Sequence, residues 1–329
     1  MIITKTPYRI SLFGGGTDHP KWFQRHGGQV VGFAISKYIY ISVHQPQRFY
    51  DHNYRVVYGK TELTDNIEDI EHPVVRAVFK HYPVNGGVDM NYVGELPARA
   101  GMGSSSAFTV GLINAVERLR GHAHEGMALA EKAIDLEQNI LQEAVGCQDQ
   151  VWSATGGFNR LVFHKDGRID RQPLELHPDH ANKIHAHMLL FFTGVSRFAH
   201  EIETKKVQNL EAKAAQMKTL SDTVDQAVRL MSGDCEMAAL GELLHHGWQA
   251  KKALDPGVSS PFIDGLYDAA RHAGAYGGKI LGAGGGGFLL LIAPPERHAE
   301  IRQTLAPLVD VSFSFDHSGS SLVYRPSAP

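Results

Sequence analysis

The sequence predicts an α+β protein built in two blocks, and three observations carry that expectation. Strand-like apolar runs open the chain at residues 2–13 and 30–43, the second rich in Ile, Val and Tyr with partial alternation. A glycine-serine turn at residues 97–107 feeds the apolar run Phe108-Thr109-Val110-Gly111-Leu112-Ile113, as a helix buried against a sheet requires. A second glycine cluster, at residues 282–287, leads instead into the strand-like run Phe288-Leu289-Leu290-Leu291-Ile292.

The elements follow in order. Between the first two strands lies the turn Gly14-Gly15-Gly16-Thr17-Asp18. Residues 104–119 and 127–142 read as helices, and 156–164 return to a strand. From about residue 180 a new unit begins: a strand at 187–193, helices from 199 to about 230 and from 236 to about 254, and another at 261–274. A helix at 296–308 and a closing strand at 311–315 complete it. The expected division is 1–175 and 176–329.

The chain has 329 residues, 43% hydrophobic and 20% charged, which suits a globular protein of about two domains with ample core. A formal charge of -3 gives no general pull towards nucleic acid or an anionic membrane. Residues 1–6 lead straight into a strand without a cationic segment or long apolar core, so no signal peptide is expected. Cys147 and Cys235 lack metal-type spacing and favour a reducing, cytoplasmic setting. The histidine pairs His185/His187 and His245/His246 have no partnering cysteine or HExxH pattern, so they read as surface or core residues.

The run Pro97-Ala98-Arg99-Ala100-Gly101-Met102-Gly103-Ser104-Ser105-Ser106-Ala107 reads as a phosphate cradle. Backbone N–H groups at a helix start have no intrahelical partner and sit at the positive end of the dipole. Glycine permits close approach, and serine hydroxyls can cap the helix or meet a magnesium ion. The second cluster, Gly282-Ala283-Gly284-Gly285-Gly286-Gly287, satisfies G-x-G-x-x-G, yet it opens a strand rather than a helix, so the dinucleotide reading fails. A Walker A loop fails too, since position 273 is alanine and position 280 isoleucine.

Three segments together resemble the GHMP kinase superfamily of ATP-dependent small-molecule kinases. They are Pro7-Tyr8-Arg9-Ile10-Ser11-Leu12-Phe13-Gly14-Gly15-Gly16-Thr17-Asp18, then 97–107, then 274–287, in the family's order. Met102 stands where leucine is usual, and Ser106 where alanine is usual. Within the superfamily, Gln148-Asp149-Gln150, Gly156-Gly157-Phe158-Asn159, Trp248 with Lys251-Lys252, and Gly274-Ala275-Tyr276 resemble the D-glycero-D-manno-heptose 7-phosphate kinases. Fucokinase-type domains share a similar glycine–Thr–Asp element, and galactokinases the Asp-Gln pair.

The resemblance implies an N-terminal ribosomal-protein-S5-like domain and a C-terminal ferredoxin-like domain, with the active site in the cleft between them. It implies ATP and Mg2+ as cofactors and a sugar phosphate as the small-molecule partner, phosphorylated at its anomeric hydroxyl for GDP-heptose and surface polysaccharide synthesis. Asp149 matches the family's catalytic aspartate, as a base or as a group that positions the acceptor hydroxyl. Arg9 matches a first-motif arginine, whose guanidinium near Asp149 would keep that carboxylate ionised and stabilise charge on the acceptor oxygen. Pro97, Ala100, Gly101, Met102, Gly103, Ser104, Ser105 and Ser106 are implied to bind the nucleotide. Glu137 precedes Asp149 by twelve residues, the family's separation, and pairs with Ser105 (or Ser104) as magnesium ligands, with Glu143 as its competitor. Gly15, Gly16, Thr17, Asp18, Gly284 and Gly285 are implied to face the sugar. A substrate phosphate would need cations, and the candidates are Arg197 and Lys252, with Lys205, Lys206 and Lys251. Another sugar 1-kinase, of fucose or galactose type, is the adjacent alternative, and a catalytically silent sugar- or nucleotide-binding regulator the remote one.

Overall fold

The computed structural model describes residues 1–46, 49, 51–194, 211–233 and 236–325. The first part runs β1 (Ile2–Phe13), α1 (Pro20–His26), β2 (Gly28–His44), β3 (Tyr54–Val57), β4 (Thr61–Thr64), α2 (Pro73–His81) and β5 (Val88–Gly94). It continues through α3 (Ser104–Leu119), α4 (Gly126–Asp135), α5 (Gln148–Thr155), β6 (Phe158–Phe163), β7 (Ile169–Pro173) and α6 (Pro178–Ala186). Then come β8 (Met188–Phe192), α7 (Ala214–Ser232), α8 (Met237–Lys252), α9 (Pro261–His272), β9 (Gly277–Ile280), β10 (Phe288–Ile292), α10 (His298–Thr304), β11 (Val309–Asp310) and β12 (Ser321–Tyr324).

These strands form two sheets. In the larger, β2 is long enough to hold β1 along one edge while its other edge pairs with β6 at residues 28–33 and with β5 at 39–44. The path reads β12-β1-β2-β5-β3-β4, with β7 added on β6. The smaller sheet is antiparallel, ordered β11-β8-β10-β9. Helix α3 is buried from Ser106 to Glu117 and packs under β1, where Thr4 donates its hydroxyl to the Gly111 carbonyl at 3.1 Å. A helix that is apolar nearly all round has no solvent face to offer, which is why its sequence lacks a polar stripe. The two sheets meet through a buried ammonium: Lys279 on β9 donates to the carbonyls of Ser11 and Leu12 on β1, at 3.0 and 2.9 Å.

Three expectations change. The helix expected at 127–142 leaves α geometry after Asp135 and continues as a π turn over Leu136–Ile140. Such turns occur where a side chain must be re-aimed, and this one carries Glu137. The helix expected at 296–308 is shorter, preceded by a single turn over Pro295–Arg297. The closing strand expected at 311–315 is reduced to one bridge between Phe315 and Ile35. The rings of Phe313 and Phe315 wedge against Phe33 instead of lying along a strand, with Phe315 4.7 Å away centroid to centroid. The chain then reaches the larger sheet as β12, on β1. Of the helix expected from 199, the described part is α7; residues 195–210 lie outside the described residues.

Candidate active site

Arg9 sits in β1 opposite Ala34 of β2, beyond residues 3–5 where β12 pairs, so its other side is met by the glycine-serine loop instead of a strand. Its Nε and Nη2 donate to the two carboxylate oxygens of Asp149, each at 2.7 Å, and Nη1 donates to the Gly101 carbonyl at 2.7 Å. The Arg9 amide also donates to the Met102 carbonyl at 3.2 Å. One guanidinium thereby fixes the start of α5 against the glycine-serine loop, in the bidentate geometry that makes such pairs strong. The Arg9 side chain is 5% exposed and that of Asp149 23%, so the carboxylate keeps an open edge while its partner is locked beneath it. Asp149 lies in the first turn of α5, where the helix dipole favours a negative charge.

The loop ahead of α3 is held by its neighbours rather than by a side-chain cap. Gly103, at the cap position, is left-handed, and among the described residues no side chain bonds the first-turn amides of α3. These amides are what an anion would meet. Ser104 accepts from the Arg99 amide at 3.0 Å and so closes the loop. Ser105 is exposed, whereas Ser106 turns inward and donates to Glu137 Oε2 at 2.9 Å. The hydroxyl that reaches Glu137 is therefore that of Ser106, not the expected Ser105. Successive helical residues point about 100° apart, and the core side of α3 takes Ser106. From the other side, Gly101 abuts the third motif: a Cβ there would stand 2.4 Å from the Leu281 carbonyl oxygen. Ala100 meets Gly287 in the same way, at 2.2 Å from where a Cβ would be.

Glu137 is fully buried (0% exposed). Its Oε2 accepts from Ser106 and from Gln150, while Oε1 has no hydrogen-bond partner. Burial pushes its carboxyl up to about 7, against the hydrogen bonds that favour the charged form. Because the folded-state value is raised, the stability linked to this group is complete below about pH 4.5 and is lost as pH rises through about 7. Glu137→Gln removes that loss. In ligand-free protein the variant's stability advantage over the native chain should therefore grow by about 3 kcal/mol between pH 5 and pH 9. Denaturant melts across that range check it, and an advantage that does not change with pH would refute it.

An orphaned, desolvated carboxylate oxygen calls for a proton or a cation. Glu137 thus fits the hard-oxygen donor expected for magnesium, and Ser105 is exposed at the start of α3 beside the Ser106 that reaches it. Among the described residues no group of three His, Cys, Asp or Glu side chains could hold a metal by itself.

The residues expected to face a sugar are distributed differently. Thr17 is 0% exposed, and its hydroxyl is engaged with the carbonyls of Gly14 and Gln29 at 2.8 and 2.7 Å, so it shapes the loop from inside. Asp18, 3% exposed, accepts from the amides of Gly16 and Gln148 at 3.0 and 3.3 Å and likewise binds loop to helix. Gly15 does lie beside the Ser11–Gln148 hydrogen bond, one residue from Asp149, and Gly16 lies under Met217. Gly284 packs on Val258, and the Gly285 amide donates to the Val258 carbonyl at 2.9 Å, so both glycines are turned away into a backbone contact. Lys252 pairs with Asp264 at 3.1 Å, and Lys251 is buried against the Gly282 carbonyl. Arg197, Lys205 and Lys206 lie outside the described residues. Sequence reasoning gave no role to Ser11, Gln148, Gln150 or Lys279; the one available signal was the polar run Gln148-Asp149-Gln150 flanking an acidic residue.

A helix start whose free amides suit phosphates, with a carboxylate held beside it, fits transfer of a phosphoryl group to a hydroxyl. This is a phosphotransferase of the small-molecule kinase class. Residues 70–157 match the GHMP kinases N terminal domain and residues 235–306 the GHMP kinases C terminal domain. The chain belongs to the GHMP kinase family, and its two-sheet architecture is that family's fold. It is 27% identical over 319 residues to a D-glycero-alpha-D-manno-heptose 7-phosphate kinase of Campylobacter jejuni, covering 92% of this chain and 93% of that one. It is 24% identical to a bifunctional fucokinase/GDP-fucose pyrophosphorylase of Arabidopsis thaliana, over 91% of this chain and 30% of that longer one. A D-glycero-D-manno-heptose 1-phosphate kinase structure from Bacteroides thetaiotaomicron superposes with a TM-score of 0.80 at 20% identity, covering 99% of this chain and 100% of that one.

Proposed function

We propose that this kinase transfers the γ-phosphoryl group of ATP to the anomeric hydroxyl of D-glycero-D-manno-heptose 7-phosphate, giving the 1,7-bisphosphate for GDP-heptose synthesis in the cytoplasm. The observation that carries the reading is the likeness to the Campylobacter heptose 7-phosphate kinase over nearly the full length of both chains, because it includes both glycine clusters and α5 with Asp149. A fucose-type acceptor is the second reading, supported by the fucokinase relatives that match more than nine-tenths of this chain.

The nucleotide phosphates lie at the first-turn amides of α3, within the loop of residues 97–106. Asp149 meets the acceptor hydroxyl on its open edge, accepts its proton or aligns it, and Arg9 holds the carboxylate in register with the phosphate loop. A magnesium ion, when bound, neutralises charge on the phosphates; Glu137 and Ser105 are its proposed holders. Loop 14–18, shaped from within by Thr17 and Asp18, presents Gly15 and Gly16 to the sugar. The reading divides the chain into an ATP-binding part, 1–175, and a second part, 176–329, whose last strand returns to the first sheet.

ADP release with Mg-ATP against heptose 7-phosphate, mannose, galactose, fucose and mevalonate, one at a time, tests this. The expected result is strong preference for the phosphorylated heptose. Preference for fucose would establish the second reading and remove the first.

A further inference from the structure

Gln150 sits one residue beyond Asp149 on α5 and is completely buried. Its amide nitrogen donates to Glu137 Oε2 and to the Gly146 carbonyl, the latter at 3.2 Å. The Gly146 carbonyl can only accept, so the NH2 end of the amide faces it and Glu137, and both hydrogens are in use. The carbonyl end is thereby fixed, and Gln150 Oε1, like Glu137 Oε1, is buried with no hydrogen-bond partner. The Thr109 hydroxyl lies close enough to favour the charged form of Glu137, and its hydrogen is directed to the Ser105 carbonyl at 3.2 Å.

Two adjoining side chains, each pinned at one end by their mutual hydrogen bond, thus leave one bare oxygen apiece in a desolvated place. Unmet buried acceptors are costly, and the cost falls when a cation or its water sits on both. The donors are a carboxylate and an amide oxygen, the hard set a small divalent cation takes. Ser106, third residue of α3, ties the same carboxylate to the helix start where those phosphates belong.

We propose that Gln150, through Oε1, is an oxygen donor to the divalent-cation site alongside Glu137 Oε1. This rests on the reading of Glu137 as an ion ligand. The consequence is mechanical as well as electrostatic. Gln150 ties the Glu137 carboxylate, on the π turn, to the helix that carries Asp149, so the ion and the acceptor-facing carboxylate keep a fixed separation.

The test is Mn2+ binding, followed by electron paramagnetic resonance of free Mn2+ with a saturating non-hydrolysable ATP analogue, in the native chain, Gln150→Leu, Gln150→Glu and Glu137→Gln. Neither turnover nor acceptor is involved. Glu137→Gln and Gln150→Leu should each weaken Mn2+ binding at least tenfold, while Gln150→Glu, which keeps an oxygen and adds charge, should bind at least as tightly as the native chain. If Gln150 only steadied Glu137 by donating to it, Gln150→Glu would lose the donor, repel its neighbour and bind Mn2+ more weakly; that result overturns the inference even if the leucine variant does not fold. Weakening in Glu137→Gln with less than threefold change in Gln150→Leu would also overturn it while leaving Glu137 as a ligand. No weakening in Glu137→Gln would remove the ion-ligand reading itself, and the inference with it.

Discussion

Asp149→Asn should lower turnover by two orders of magnitude or more while nucleotide binding survives. The substitution keeps shape and one acceptor oxygen, so the guanidinium of Arg9 retains a partner and its bonds to the phosphate loop through Gly101 and Met102 persist. What is lost is the negative charge on the open edge of the side chain, where an acceptor hydroxyl must be aligned or deprotonated. The chain loses about 1–3 kcal/mol of stability as well, because a largely buried arginine exchanges a charged partner for a neutral one. Steady-state turnover and titration of a fluorescent ATP analogue separate the two quantities. Turnover within a few-fold of the native chain would remove Asp149 from the chemistry.

Gly101→Ala should damage the fold and the nucleotide loop together. Gly101 has φ +83, which already disfavours a side chain by about 1 kcal/mol. The new Cβ would also stand 2.4 Å from the Leu281 carbonyl oxygen and 2.8 Å from its carbon, so the obstruction is backbone on backbone and no rotamer relieves it. The glycine-serine loop and the third glycine motif must separate, carrying with them the carbonyl that Arg9 holds. A loss of at least about 3 kcal/mol is expected, with nucleotide affinity down a hundredfold or more. Gly86→Ala is the matched control, since Gly86 has φ +84 and nothing within 4 Å of a new Cβ. It should cost only the conformational term. Equal melting temperatures for the two variants would show that the contact between the loops does not matter.

Much of this architecture is legible in the sequence where the signal is local. The bounds of β1, α3 and β10 coincide with runs whose periodicity and flanking glycines define them. The strand expected at 311–315 fails for the opposite reason. Alternating apolar residues need not pair with a strand if their rings can fill a gap between Phe33 and His185 instead. The π turn at Glu137 was equally hidden, since one inserted residue in a helix leaves the apolar spacing almost unchanged.

The sequence by itself determined the two-block α+β organisation, the position of the glycine-serine loop before a buried helix, and the family. Each is written in contiguous residues, through composition, spacing and turn chemistry. Only the tertiary structure decided which polar side chains share a site. It gave the expected Arg9–Asp149 pair its two-point geometry across 140 residues, chose Ser106 over Ser105 for Glu137, and turned Thr17 inward to the carbonyls of Gly14 and Gln29. Which face of a strand or helix is buried depends on what packs against it, and a side chain's hydrogen-bond partner is settled only when that packing is complete.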